Sequence, residues 1–382
     1  MSQADRIGDA VRDALWSVCT RQHAGEGAVD ALVALAIDQR VGGVVVGTAD
    51  SDVLLPDAAV QALAATCRTH AVDGLLATRA LGRLVEVVGA AGVETIALKG
   101  PLLQRAWGTQ VRPYLDVDVL VRAGSFATAL EAIVAAGGQV VDRNWKLLVE
   151  QARAEVHVVL PDGTPVDLHW HLLNEGRWRR DATVDVEGLF ARSVEVDLGT
   201  ATVRTTGPTD TLVHIAVHAA VSGGHRLVWL VDIARLVEAG VDWDDVVGTA
   251  RAWRVELPVA AMLARAARTV AADVPAEVLA ALVPAAPRRA VVRGLSSWRP
   301  SGRLPGGGST GRALARSLRP TLPSTALAAA REGRAMVERL VEHHAWWEDP
   351  DDPRHVCFDS GDAGFDRYLE LAAATDARGH AA

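Results

Sequence analysis

Two aspartates one residue apart stand in the run Arg112-Pro113-Tyr114-Leu115-Asp116-Val117-Asp118-Val119-Leu120-Val121. Along a strand successive side chains point to opposite faces, so Asp116 and Asp118 emerge together while Val117, Val119 and Val121 face the other way. Two like charges side by side are costly to bury unless a cation sits between them. Mg²⁺, a hard ion held by one or two carboxylates together with substrate phosphates, meets that need. The alternative is a solvent-facing pair at the end of an edge strand. Upstream, Glu94-Thr95-Ile96-Ala97-Leu98 reads as a short strand that ends at Lys99-Gly100-Pro101, with a helix after it.

A third carboxylate comes from a hairpin. Glu155-Val156-His157-Val158-Val159-Leu160 and Pro165-Val166-Asp167-Leu168-His169-Trp170 flank Asp162-Gly163, a dipeptide suited to a tight β-turn. If this hairpin lies beside the aspartate strand, Asp167 joins Asp116 and Asp118. Three acids after a strand-to-helix turn suit metal-assisted phosphoryl or nucleotidyl transfer, in which one carboxylate accepts the proton of the attacking hydroxyl. His169 alternates with Asp167 and shares its face, while His157 lies on the partner strand; each is a candidate ligand or a structural histidine. Lys99 and Lys146 are the two lysines among 39 basic residues, and Lys99 stands where a compact charge can meet a phosphate.

The order "GVETIALKGPLLQRAW … VRPYLDVDVLV … ALEAIVAAGG … EVHVVLPDGTPVDLHWHLL", continued by "TDTLVHIAVHAAVSGGHRLVWLVDIARLVEAGVDWDDV", resembles the bacterial uncharacterised nucleotidyltransferases over about residues 75 to 275. That family sits within the DNA polymerase β-type nucleotidyltransferase superfamily. The resemblance implies an α+β fold: a mixed sheet with flanking helices, a helical N-terminal segment and an all-α C-terminal region. It implies that Asp116 and Asp118 are the metal-binding pair and Asp167 the third carboxylate, all three both catalytic and metal-binding. Mg²⁺ or Mn²⁺ is the implied cofactor, a nucleoside triphosphate such as ATP the substrate, and a hydroxyl of a small molecule, peptide or protein the acceptor. Lys99, Gly100, Arg112 and His169 are the implied nucleotide contacts. One departure stands out: the superfamily has Gly-Ser at the phosphate turn, where this chain has Lys99-Gly100-Pro101. Gly100 permits close backbone approach, but Pro101 removes an N–H. Either Lys99 supplies the phosphate contact or triphosphate binding is weak. In the second case the chain is an inactive binding or scaffold protein in a biosynthetic or regulatory complex.

The elements that must position these residues follow from periodicity. Residues 1–88 read as a helical N-terminal segment, 89–206 as the α/β catalytic domain and 207–298 as a helical domain. Pro, Gly and Ser mark 299–323 as a flexible linker, and 324–382 reads as a helix followed by an aperiodic acidic tail. Within the second helical region, His214 and His218 have the four-residue spacing of a two-histidine metal face, yet no third ligand accompanies them. Tyr114, Trp170 and Trp178 are rings able to stack on a base or to fill a core.

Composition narrows the class. The 382 residues are 49% hydrophobic, ample for more than one core, and the formal charge of −8 argues against a general nucleic-acid binder. Three scattered cysteines without metal-ligand spacing argue against a disulfide framework and for a reducing cytoplasm. Neither a signal peptide nor a membrane span is expected.

Overall fold

The computed structural model describes residues 2–22, 26–47, 55–296, 310–341, 348–361 and 364–379. Two compact units emerge, neither contiguous in sequence. One gathers Met1–Asp73, Leu103–Pro113 and Pro208–Met336; the other gathers Gly74–Leu102, Tyr114–Gly207 and Val337–Ala382.

The second unit holds a mixed seven-stranded sheet, made of β1 (Thr95–Leu98), β2 (Val117–Val121), β3 (Gln139–Val140), β4 (Glu155–Val159), β5 (Pro165–His169), β6 (Val194–Asp197) and β7 (Thr202–Thr205). Their order across the sheet is β3-β4-β5-β2-β1-β7-β6. β1 and β2 are antiparallel, with Leu98 opposite Asp118. The hairpin β4–β5 is antiparallel, and β5 runs parallel to β2 with Asp118 opposite Asp167. Gly163 makes the hairpin turn at φ 85°, the left-handed region that glycine enters without a Cβ clash.

Alternation along the central strands produces the core. Val117, Val119 and Val121 join Val156, Val158, Val166 and Leu168 on one face, where helices Asp57–Ala90 and Phe126–Ala135 cover them. The opposite face carries Asp118, Asp167 and His157. The α+β class is therefore as expected: a mixed sheet with flanking helices.

The other unit is helical. Helices Pro208–Val221, Leu227–Glu238 and Glu256–Val270 pack on one another, and Gln3–Gln22 packs against the last two. The 34-residue helix Asp57–Ala90 runs through the expected end of the N-terminal segment, so residues to Asp73 belong here and those from Gly74 to the sheet.

Two expectations for the C-terminal third are corrected. Of the expected linker, residues 299–309 lie outside the described residues, but helix Thr310–Arg316 forms within the remainder, burying Ala315, with Leu318 buried just after it, and helix Leu322–Val341 begins before its end. Nor is the acidic tail aperiodic. Helix Phe365–Gly379 docks on the sheet unit, where Tyr368 is fully buried and meets Phe126 edge-on at 5.9 Å. Phe365, Tyr368 and Ala372 recur at helical spacing, and the surrounding Asp, Glu and Arg had masked that stripe.

Candidate active site

Register across three strands assembles a polar cluster on one face of the sheet. Directly opposed residues share a face, so Asp118 on β2, Asp167 on β5 and His157 on β4 form one lateral row. His169 and Glu155 form the neighbouring row. Lys99, one residue past β1, reaches in to ion-pair with Asp118 Oδ1. His169 Nε2 lies 3.2 Å from the same oxygen, while its Nδ1 lies 3.3 Å from Glu155 Oε2. His157 Nε2 is 3.1 Å from Glu155 Oε1 and 3.4 Å from Asp167 Oδ1. Its Nδ1 is 2.7 Å from Asp142 Oδ2, and that oxygen also accepts the His157 backbone N–H at 2.9 Å.

The charges of this cluster hold one another in unusual states. Burial opposes charge on Asp118, yet Lys99 and His169 overcome it and keep the carboxyl far below its usual range. Burial also opposes ionisation of Glu155, and His169, His157 and Lys99 bring that carboxyl down to about 2. Asp167 is the contrary case: burial first, then Glu155 and Asp118, push it up to about 7. His157 rises to about 11, because Asp142, Glu155 and Asp167 outweigh its burial. A carboxyl that retains its proton beside two ionised neighbours marks a place short of positive charge. The ligand atoms of Asp118, Asp167 and His169 lie within 4.8 Å of one another, and this donor set fits a divalent cation.

The turn from β1 into the next helix passes through Lys99 and Gly100. The left-handed residue is Lys99, at φ 45°, and not Gly100. At Gly100 space is tight, since a Cβ there would come within 3.2 Å of the Tyr114 ring.

Not every expected residue reaches the cluster. Asp116 lies one residue before β2, is exposed, and belongs to neither group of clustered metal-ligating atoms among the described residues. Arg112 lies in the helical unit, where it makes a buried two-pronged ion pair with Asp232 at 2.7 and 2.9 Å. Trp107 Nε1 donates to the same carboxylate at 2.8 Å. A guanidinium so paired is held by the fold. Tyr114 is not a base platform either: it is buried, and its hydroxyl donates to the Gly74 carbonyl at 2.8 Å. Trp170 and Trp178 are likewise buried. His214 and His218 meet edge-on at 6.4 Å, and His218 meets Trp229 in the same way.

Asp142 and Glu155 are the cluster residues that the sequence reading did not single out. The alternation Glu155-x-His157 facing Asp167-x-His169 across an Asp-Gly turn was the available signal for Glu155. Asp142 had none, because its link to His157 is tertiary.

One comparison with known proteins found a match. A family model described as an uncharacterised nucleotidyltransferase matches residues 26–271. The chain belongs to this family. No curated protein and no solved structure matches it. The family match spans the whole candidate cluster and extends into the helical unit. Among the described residues, no helix is long and apolar enough to cross a membrane.

Proposed function

We propose that this protein transfers a nucleoside monophosphate from a nucleoside triphosphate, ATP among them, to a hydroxyl of a small molecule, peptide or protein. The observation that carries this reading is Asp118 opposite Asp167 on adjacent parallel strands, with Lys99 at the strand end beside them, in a chain of the nucleotidyltransferase family. Asp118, Asp167 and His169 would hold Mg²⁺ or Mn²⁺. Such an ion, when bound, neutralises the charge that develops on the transferring phosphate. Asp116 is exposed and so open to an ion that arrives with the triphosphate. Lys99 is the phosphate-holding cation of this reading, the role expected of Arg112 having no support in its buried ion pair.

Asp167 accepts the proton of the acceptor hydroxyl. The hydroxyl oxygen forms its bond to the α-phosphorus, the bond to the bridging oxygen breaks, and its electron pair leaves with pyrophosphate. The cytoplasm, where nucleoside triphosphates are abundant, is the compartment in this reading, and the free thiols of Cys19, Cys67 and Cys357 are compatible with it.

The second reading is a binding or scaffold protein without transfer activity. Its support is the Lys99–Asp118 ion pair, which already neutralises the carboxylate a metal would need. Incubating the chain with α-phosphate-labelled triphosphates and Mg²⁺ or Mn²⁺, with a lysate as acceptor source, separates the two. Label transfer and pyrophosphate release that vanish in Asp118→Asn are expected. Silence with every nucleotide, and no metal-dependent nucleotide binding, would leave the scaffold reading.

A further inference from the structure

The histidine on β4 has work to do that the nucleotide reading does not use. We propose that Glu155, His157 and Asp167 form a second cation site, selective for a nitrogen-accepting first-row ion of the Zn²⁺ class, with Asp142 as its positioning residue. The proposal rests on the transferase reading only in sharing Asp167 with it.

The ligand atoms of Glu155, His157 and Asp167 lie within 4.8 Å of one another. His157 Nε2 faces the two carboxylates at 3.1 and 3.4 Å. Its direction is fixed from behind, since Asp142 Oδ2 engages Nδ1 at 2.7 Å and the backbone N–H of the same residue at 2.9 Å. A metal-binding histidine characteristically gives its other ring N–H to a carboxylate, which sets the tautomer and the ring plane. Asp142 is 3% exposed on its side chain and is thus an outer partner with no access to solvent of its own, whereas His157 is 40% exposed and leaves an entry path.

A separate observation points to an ion that favours nitrogen. His169 is 4% exposed on its side chain, and its Nδ1 has no hydrogen-bond partner although it faces Glu155 Oε2 at 3.3 Å. Glu155 therefore stands between two imidazoles, one on each oxygen. Mixed imidazole and carboxylate donors suit Zn²⁺, and first-row ions toward that end of the series bind them more tightly than Mg²⁺.

The test is calorimetric titration of the chelator-stripped full-length protein with Zn²⁺, with Co²⁺ absorption as a report on coordination. The variants are His157→Gln, Glu155→Gln, Asp142→Asn and Asp118→Asn, each checked for folding by circular dichroism. One equivalent, lost in His157→Gln and Glu155→Gln and retained in Asp118→Asn, is the expected result. Asp142→Asn should keep the stoichiometry and weaken binding about 10- to 100-fold. Wild-type Zn²⁺ binding in folded His157→Gln, or in folded Asp142→Asn, would overturn the site and leave the group as a structural ion-pair cluster. Loss of all Zn²⁺ in Asp118→Asn would overturn it too, by placing the ion on Asp118, Asp167 and His169. A chain that binds Zn²⁺ through His157 but transfers no label would sustain this proposal while sinking the transferase reading.

Discussion

Lys99 combines two unfavourable features that only its surroundings can offset. Its φ of 45° puts a non-glycine residue in the left-handed region, which costs roughly 1–2 kcal/mol. Its ammonium is also taken largely out of water, yet Asp118, Glu155 and Asp167 outweigh that burial and raise its pKa above the usual lysine value. Strain of this kind persists where neighbours over-determine it, and it gathers at functional sites. Lys99→Met should therefore destabilise the fold by about 3 kcal/mol, because it leaves the Asp118 carboxylate buried without its main partner. Adding Asp118→Asn should recover most of that loss, since the uncompensated charge goes with it. Urea unfolding of both variants measures this, and a single variant as stable as the wild type would show that the pair contributes nothing. At this scale Lys99, Asp118, Asp167 and His169 were all legible as residues, because alternation and an Asp-Gly turn place them with no tertiary knowledge. The fates of Arg112 and Asp142 were not. Arg112 is satisfied by Asp232, a residue 120 positions away, and no local pattern announces such a partner.

Among elements, the β4–β5 hairpin determines what the site contains. A one-residue slip in its pairing would turn Asp167 and His169 into the valine core and bring Val166 and Leu168 out. The hairpin was readable in the sequence; the strap that steadies it was not. Helix Phe365–Gly379 lies beyond a Pro/Gly-rich break and an acidic stretch, and composition there spoke louder than its apolar spacing. Tyr368 of this helix accepts a hydrogen bond from Trp170 Nε1 at 3.2 Å and donates to the Glu155 carbonyl at 3.4 Å. The C-terminal helix thus touches β4 at a residue of the polar cluster. Tyr368→Ala removes a fully buried ring and orphans the Trp170 N–H, for an expected loss of about 3–5 kcal/mol in chemical denaturation. Tyr368→Phe keeps the ring and should cost about 1 kcal/mol, the value of its hydrogen bonds alone. Equal losses for the two would mean that packing of this helix contributes little.

Over the whole molecule, these groups set opposing pH dependences whose signs can be worked out. His171 and His225 are pushed down to about 3, the first chiefly by burial and Arg179, the second by burial and Arg312. His171 Nδ1 also accepts the Leu173 N–H at 2.9 Å, a bond that protonation there would break. Below the usual 6.5 the unfolded chain takes up two protons that the folded chain refuses, so stability falls with pH from 6.5 toward 3. The lowered carboxyls Asp118 and Glu155 add to this acid loss once pH drops below their usual values of 3.8 and 4.5. His157 and Asp167 act in the opposite sense. Each holds its proton more tightly folded than unfolded, so their contribution is present at low pH and declines as pH rises. Asp167 loses it between 3.8 and about 7, and His157 between 6.5 and about 11. Between 4 and 6.5 the two histidines outnumber the single aspartate, and stability rises with pH. Above 7 only the His157 contribution still changes among these groups, and stability falls. The metal-free protein should therefore unfold at its highest temperature between about pH 6 and 7. His157→Gln should flatten the alkaline side of that profile, and His171→Asn, which keeps an acceptor for Leu173, should flatten the acid side. Scanning the thermal midpoint from pH 4 to 10 in chelator tests both limbs, and an alkaline limb unchanged in His157→Gln would show that the carboxylates around it do not hold its proton.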